Sequence, residues 1–124
     1  MPPRTRTVAL VAAGGFAGAI ARWLLAVALP ELGGTLAANV LGAFALGAVV
    51  AAVAAGRLTP AVRAALATGF LSSFTTYSTF AVESALAGSP ALVVGNVLAN
   101  YVLGFAAAAV GLAVGRRFVG GEQA

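Results

Sequence analysis

The sequence contains no cysteine, histidine, aspartate or lysine, and few charged residues of any kind. Without thiols or imidazoles, cysteine or histidine catalysis and Cys/His metal sites are excluded. With three carboxylates in the whole chain, paired-carboxylate chemistry has almost nothing to work with. The net charge of +4 comes from seven arginines that flank apolar runs and form no basic face. These features argue against an enzyme and against a nucleic-acid partner.

Apolar residues take the place of the missing charges. Of 124 residues, 61% are hydrophobic and 8% charged, whereas about a quarter of residues are charged in a soluble domain. A helix needs roughly 20 apolar residues to cross a hydrocarbon core about 30 Å thick. We predict an all-α membrane protein in which residues 1–124 form a single transmembrane domain. Its four spans are predicted at about residues 8–29, 35–55, 61–87 and 91–114.

Short segments outside these spans complete the predicted organisation. Residues 1–7 and 118–124 are predicted to be short tails. The apolar run after Arg4 and Arg6 is also typical of a signal peptide. We favour a membrane span, because three comparable segments follow and little would remain after cleavage. Thr59 followed by Pro60 predicts a helix N-cap and first helical position.

The most unusual stretch lies inside the third span. Seven of the eight residues from 72 to 79 carry a hydroxyl group. Hydrocarbon offers no water, so non-helical backbone at membrane depth is tolerated only where it is buried in protein or lines a cavity. Serine and threonine can also replace lost helical hydrogen bonds. We predict a third helix that is broken mid-membrane beside a polar path, and we interpret Glu83, farther along the span, as a boundary carboxylate.

Isolated polar residues interrupt the other spans, and each has two interpretations. Arg22 is either an interfacial anchor or an anion-attracting group in a vestibule. Asn39 is either part of an interhelical hydrogen bond or a pore donor. Asn96, Asn100 and Gly104 recur every four residues, so they share one helix face, which is either a polar path or a helix interface.

Small residues recur at a spacing of four in the first two spans. Residues at that spacing let helix backbones approach closely in lipid. The predicted contact pairs are Gly14/Gly18, Ala38/Gly42 and Ala43/Gly47.

The arginines predict the orientation in the membrane. With four spans, both termini and the loop between the second and third spans lie on one side. That side carries six arginines, and the other two loops carry none. The positive-inside rule then places both termini in the cytoplasm. The six residues are Arg4, Arg6, Arg57, Arg63, Arg116 and Arg117.

Three segments form motifs in the same order as the first three spans. They are GFAGAIARW at residues 15–23, GTLAANVLG at residues 34–42 and GFLSSFTTYSTF at residues 69–80. Together they resemble the motifs of the Fluc (CrcB) fluoride channels. The resemblance implies a passive exporter of fluoride in the cell membrane that relieves cytoplasmic fluoride toxicity. It also implies an antiparallel dimer with two pores along its interface.

The resemblance further implies site residues. Backbone carbonyls of Ser72 and Thr75 would hold a structural sodium ion at the dimer centre. Tyr77 and Phe80 correspond to the family's pore aromatics, although the family usually has phenylalanine at the first position. Ring edges carry partial positive charge and suit a dehydrated anion. The remaining assignments are Arg22 in the vestibule and Asn39, Thr79, Asn96 and Asn100 in the fluoride pore.

Two other classes of protein remain as alternatives. A small four-helix proton-coupled antiporter needs a titratable group in its substrate cavity. Here the first span has no carboxylate and Glu83 lies near a helix end. A non-conducting assembly subunit would explain the small-residue helix faces. It would not explain a hydroxyl-rich break that ends in aromatic residues.

The arginine bias makes a prediction about assembly. A chain that forms an antiparallel homodimer must insert in both directions, which requires a weak charge bias. Since this chain is strongly biased, we expect one member of a heterodimer, paired with an oppositely oriented homologous subunit. Mapping the termini of this chain in a native membrane is expected to find a single orientation. An even mixture of both orientations would contradict the heterodimer and favour a homodimer.

Overall fold

The fold is all-α throughout the part of the chain that the computed structural model describes, residues 3–121. Helix α1 covers Pro3–Ala28 and α2 covers Gly33–Ala54. A third segment, residues 60–85, is built from several shorter helices. The last helix is the longest, and we number it α6 (Pro90–Gly120). The predicted all-α class is confirmed for these residues.

The third segment changes its helical geometry along its length. Its first half consists of α3 (Pro60–Arg63), a π-helix (Ala64–Leu71) and α4 (Ser72–Phe74), which follow one another directly. The residue after α4, Thr75, is extended with φ −82° and ψ 160°. Helix α5 (Ser78–Ala85) follows after the non-helical residues 75–77, which we call the break.

Three helices are long and apolar enough to cross a membrane: α1, α2 and α6. Large apolar side chains point outward from them, among them Phe16 at 71% exposure and Phe105 at 73%. So many exposed apolar side chains on three long helices suit lipid rather than water. The chain is therefore a multi-pass membrane protein.

Serine and threonine cap two of the helices just before a proline. Thr59 accepts a hydrogen bond from the N–H of Val62 at 3.3 Å, and Pro60 is the first residue of α3. Ser89 does the same for Leu92 at 3.2 Å, before Pro90 opens α6. The prediction of an N-cap at Thr59 is confirmed. Each cap satisfies a backbone donor that has no partner within the helix.

The predicted tails are shorter than expected at both ends. Helix α1 already begins at Pro3, so residues 3–7 are helical, with Thr7 Oγ1 donating to Pro3 O at 3.1 Å. Proline is favoured at the start of a helix, because its missing N–H has no partner there in any case. Helix α6 continues to Gly120, since no proline follows residue 90 to end it. Glu122 and the rest of residues 122–124 lie outside the described residues.

Close backbone contacts hold the helices together. Helix α2 packs along α6, and α1 packs against the π-helix and α4. A Cβ at Gly18 would overlap the carbonyl oxygen of Phe70, and one at Gly111 would overlap that of Phe44. Such contacts are the small-residue packing expected of helices in lipid. The predicted close approach of backbones is confirmed at Gly14, Gly18 and Gly47, whereas Gly42 lies against the side chain of Thr75.

Candidate functional site

The break lies where the third segment meets α2, and hydroxyl groups satisfy the backbone around it. Thr75 Oγ1 donates to Leu71 O at 2.9 Å, and Ser72 Oγ donates to Thr68 O. Bonds from a hydroxyl to the carbonyl four residues earlier compete with regular helix formation and often bend a helix. The hydroxyl-rich sequence therefore suits a helix that ends here.

Asn39 on α2 pairs with both backbone groups of Thr76 in the middle of the break. Its Oδ1 accepts from Thr76 N at 2.8 Å, and its Nδ2 donates to Thr76 O at 3.1 Å. Two bonds in parallel fix the orientation of the amide. The interhelical interpretation of Asn39 thus describes its contacts, and these contacts connect α2 to the break.

Two asparagines on α6, Asn100 and Asn96, extend this series of hydrogen bonds from Asn39. Asn39 Nδ2 also donates to Asn100 Oδ1 at 3.0 Å. Asn100 Nδ2 donates to both the backbone oxygen and Oδ1 of Asn96, each at 3.0 Å. Buried Asn96 donates in turn to Ser84 Oγ on α5 at 2.9 Å. The polar stripe on α6 therefore faces its own chain and binds α2 and α5.

Thr76 also begins the second half of the third segment. Its buried hydroxyl accepts from Thr79 N at 3.2 Å and donates to Thr79 Oγ1 at 3.1 Å. This bond to the third residue along has the spacing of an N-cap interaction, although the residue directly before α5 is Tyr77, which makes no side-chain cap. Thr79, which was predicted to line the fluoride pore, is exposed at the start of α5. It is not among the described residues that line the cavity discussed next.

A cavity of about 600 Å³ opens beside the break, between α2, the third segment and α6. Most of its wall is apolar, with polar groups concentrated at the asparagine pair and the break. Six of the predicted site residues line it: Asn39, Ser72, Thr75, Tyr77, Phe80 and Asn100.

Aromatic rings form a row along one side of the cavity. The centroids of Tyr77 and Phe80 lie 5.9 Å apart, and those of Phe80 and Tyr101 lie 6.2 Å apart at an interplanar angle of 83°. Tyr101 is followed by Phe105, again at 6.2 Å. Tyr101 lines the cavity but was not predicted as a site residue. Two features of the sequence could have indicated Tyr101: it follows Asn100 directly, and Phe105, four positions later, lies on the same face of the helix.

Comparison with known proteins identifies the family. Residues 9–112 match the family described as CrcB-like protein, Camphor Resistance (CrcB). The chain belongs to the CrcB family. It is 49% identical over 118 residues to the fluoride-specific ion channel FluC 1 of Haloarcula marismortui, covering 94% of this chain and 91% of that relative.

Two further relatives carry similar names. The fluoride-specific ion channel FluC 1 of Natronomonas pharaonis is 54% identical over 110 residues, which are 86% of this chain and 92% of the relative. The fluoride-specific ion channel FluC 2 of Halobacterium salinarum is 47% identical over 111 residues, 88% and 86% of the two chains. The names describe channels and no enzyme, in agreement with the prediction against catalysis.

Two carbonyls of this CrcB chain lose their regular helical partners at the break. The N–H that would bond to Ser72 O in a continuing helix belongs to Thr76, and it donates to Asn39 instead. The N–H that would bond to Thr75 O belongs to Thr79, and it donates to the Thr76 hydroxyl. Carbonyl oxygens of this kind suit a hard cation. Within residues 3–121, no group of three His, Cys, Asp or Glu side chains offers an alternative metal site.

The remaining predicted positions lie away from the cavity wall. Arg22 is half-buried on α1 and, like Asn96, is not among the described residues that line the cavity. Glu83, which we interpret as a boundary carboxylate, lies near the end of α5 and faces the start of α2. Its Oε1 accepts from Thr35 Oγ1 on α2 at 2.9 Å, and its Oε2 is buried without a hydrogen-bond partner among the described residues.

The pairing of Asn39 with Thr76 makes a prediction about local stability. In Asn39→Ala, the Thr76 N–H loses its acceptor, so it is expected to exchange with solvent deuterium about tenfold faster or more. The Thr75 N–H is the internal control, because it bonds to Leu71 O at 3.0 Å and needs no contact with α2. Hydrogen exchange of the purified chain in detergent measures both. Equal acceleration at the two positions, or none at Thr76, would contradict the assigned role.

Proposed function

We infer that this chain conducts fluoride passively across the cell membrane and thereby lowers fluoride toxicity in the cytoplasm. The observation that carries this proposal is the cavity at the break, in which a row of aromatic rings meets polar groups within the hydrophobic part of the chain. The names of the relatives, at 47% to 54% identity over most of the chain, support the same function.

The chemistry of the cavity suits a small anion that has lost water. Hydration must be replaced by donors and by positive partial charge along the path. Ring edges of Phe80, Tyr77 and Tyr101 supply partial positive charge, and the tyrosine hydroxyls supply donors. In the conformation described here, both Asn39 hydrogens already bond to Thr76 O and Asn100 Oδ1. The anion therefore meets the rings and hydroxyls first, and it takes an Asn39 hydrogen only by exchange.

The third segment is proposed to form the fourth membrane crossing, broken at residues 75–77. Its first half, residues 60–74, and its second half, Ser78–Ala85, would add up to about 35 Å at the α-helical rise of 1.5 Å per residue, and to somewhat less because residues 64–71 form a π-helix. That length matches a hydrocarbon core. Polar backbone at the break is acceptable there, because it is bonded to Asn39 and faces the cavity.

An antiparallel dimer would complete the cavity. The cavity is open on one side, where Tyr77 is 74% exposed. A second, oppositely oriented subunit against this face would enclose two such cavities as two pores. The freed carbonyls of Ser72 and Thr75 would hold a structural sodium ion between the two breaks. Bound there, the ion would supply positive charge that holds the two breaks together.

A heterodimer with both termini of this chain in the cytoplasm is the favoured form. All six arginines that set the bias are exposed. Arg57 Nη2 donates to Val119 O at 3.4 Å, so the loop after α2, which carries Arg57, lies beside the end of α6, which carries Arg116. Relatives whose names carry the numbers 1 and 2 support a pair of subunits. A homodimer is the alternative that the orientation experiment distinguishes.

A proton-coupled antiporter is less consistent with the site. Such an exchanger needs a titratable carboxylate in its substrate cavity. The described residues that line the cavity include no glutamate, and Glu83 is bonded to Thr35 away from it.

Fluoride efflux from liposomes tests the proposal, with a fluoride electrode as detector and chloride as the competing anion. The chain reconstituted alone is expected to release fluoride but not chloride if it forms a homodimer. If it needs a partner, efflux is expected only after co-expression with an oppositely oriented homologue. No fluoride efflux under either condition would contradict the channel and favour a non-conducting subunit.

Replacing one ring tests the aromatic row. Phe80→Leu keeps the side chain apolar but removes its ring edge, so fluoride efflux is expected to fall about tenfold. Phe16→Leu is the matched control, since Phe16 is 71% exposed on the outer side of α1. Equal efflux from the two variants would contradict a role for the ring.

A further inference from the structure

Backbone groups determine which way the three asparagine amides point. The N–H of Thr76 requires an oxygen and its carbonyl requires a donor, so Asn39 has only one orientation that satisfies both. The second hydrogen of Asn39 Nδ2 then needs an acceptor, which is Asn100 Oδ1 at 3.0 Å. The orientation of the second amide is thus determined by the first.

The amides of Asn100 and Asn96 are oriented by their partners in the same way. Asn100 Nδ2 donates to the backbone oxygen of Asn96, which can only accept, and to Asn96 Oδ1. The Nδ2 of Asn96 is therefore left to donate, and it does so to Ser84 Oγ at 2.9 Å. Every amide donates in the same direction, from α2 across α6 to α5.

This series of donors limits what an anion in the cavity can reach. Both hydrogens of Asn39 are already bonded, so fluoride gains one only if Asn100 Oδ1 or Thr76 O releases it. How tightly Asn100 holds that hydrogen depends on the direction of its own amide. Hydrogen bonds in a chain polarise one another, which makes a loss at one end felt at the other.

We propose that Asn96 and Ser84 are positioning residues of the fluoride path, which set the orientation of the Asn39–Asn100 pair through the bond series Asn39→Asn100→Asn96→Ser84. Neither residue is among the described residues on the cavity wall, and both are buried. The part of this proposal that concerns fluoride rests on the proposed function. The part that concerns the amides does not.

The orientation of the three amides can be followed directly by NMR, because the chain contains few asparagines. The protein has three asparagines, at positions 39, 96 and 100. Selective labelling with ¹⁵N-asparagine therefore gives one side-chain NH₂ signal pair for each member of the series. Each pair is assigned from the Asn→Asp variant that lacks it, and spectra are recorded on the full chain in lipid nanodiscs.

Ser84→Ala removes the final acceptor and is compared with Ser84→Thr, which keeps a hydroxyl at the same position. In Ser84→Ala, the NH₂ signals of Asn96, Asn100 and Asn39 are all expected to shift, and fluoride efflux is expected to fall roughly fivefold. In Ser84→Thr, the signals and the efflux are expected to return toward those of the wild type. Rescue by the hydroxyl separates positioning from simple packing, because threonine adds a methyl group that packing alone would have to accommodate.

A shift confined to Asn96 in Ser84→Ala would overturn the proposal, whatever happens to the efflux. Shifts at all three asparagines in a chain that shows no fluoride efflux would keep the series and reject the proposed function instead. If Ser84→Ala does not fold, Asn96→Asp replaces it. That variant keeps an acceptor for Asn100 but changes the donor to Ser84, and an unshifted Asn39 signal there would equally overturn the proposal.

Discussion

A buried backbone N–H or C=O that leaves a helix needs a partner in the protein, because an unpaired polar group is costly away from water. The side chain of Asn39 meets this need at Thr76, where it serves as acceptor and donor at once. Because the N–H of Thr76 bonds to Asn39, the carbonyl of Ser72 loses the donor that a continuing helix would supply. The Thr76 hydroxyl takes the N–H of Thr79, which leaves the carbonyl of Thr75 free. The break and the two carbonyls without their helical partners therefore depend on the hydrogen bonds of Thr76.

Close approach of the helices makes the pairing possible. Within residues 3–121 no large side chain is fully buried, and the contacts at Gly18 and Gly111 bring backbone against backbone. Helices in lipid associate through such packing and through hydrogen bonds between helices, since apolar side chains gain little by leaving lipid. Many large apolar residues therefore remain on the outside, and the polar residues Thr35, Thr76, Ser84 and Asn96 are buried between the helices. Buried polar groups thus have a structural role between the helices, and the same groups suit a path for an anion.

The all-α class and the helical segments follow from local composition, and the run of hydroxyls at residues 72–79 overlaps the non-helical residues 75–77. Apolar length predicts the spans, Thr59 before Pro60 predicts a helix start, and the run of hydroxyls predicts a weakened helix. The hydrogen-bond partners of Asn39 and Asn96 are harder to predict from the sequence, since they depend on how far one helix is shifted and rotated against another. For the same reason Tyr101 was missed as a cavity residue. The π-helix at residues 64–71 has no recognisable signature in a sequence of small apolar residues.

The central claim is that the break held by Asn39 is where fluoride crosses the membrane. It is tested most directly by fluoride efflux from liposomes that contain Asn39→Ala, measured beside the wild type under the assembly conditions in which the wild type conducts. Circular dichroism and gel filtration of both proteins establish that the variant is folded and assembled. The account predicts that the folded variant loses most of its fluoride efflux, because the break is no longer anchored to α2. Efflux equal to that of the wild type would contradict it.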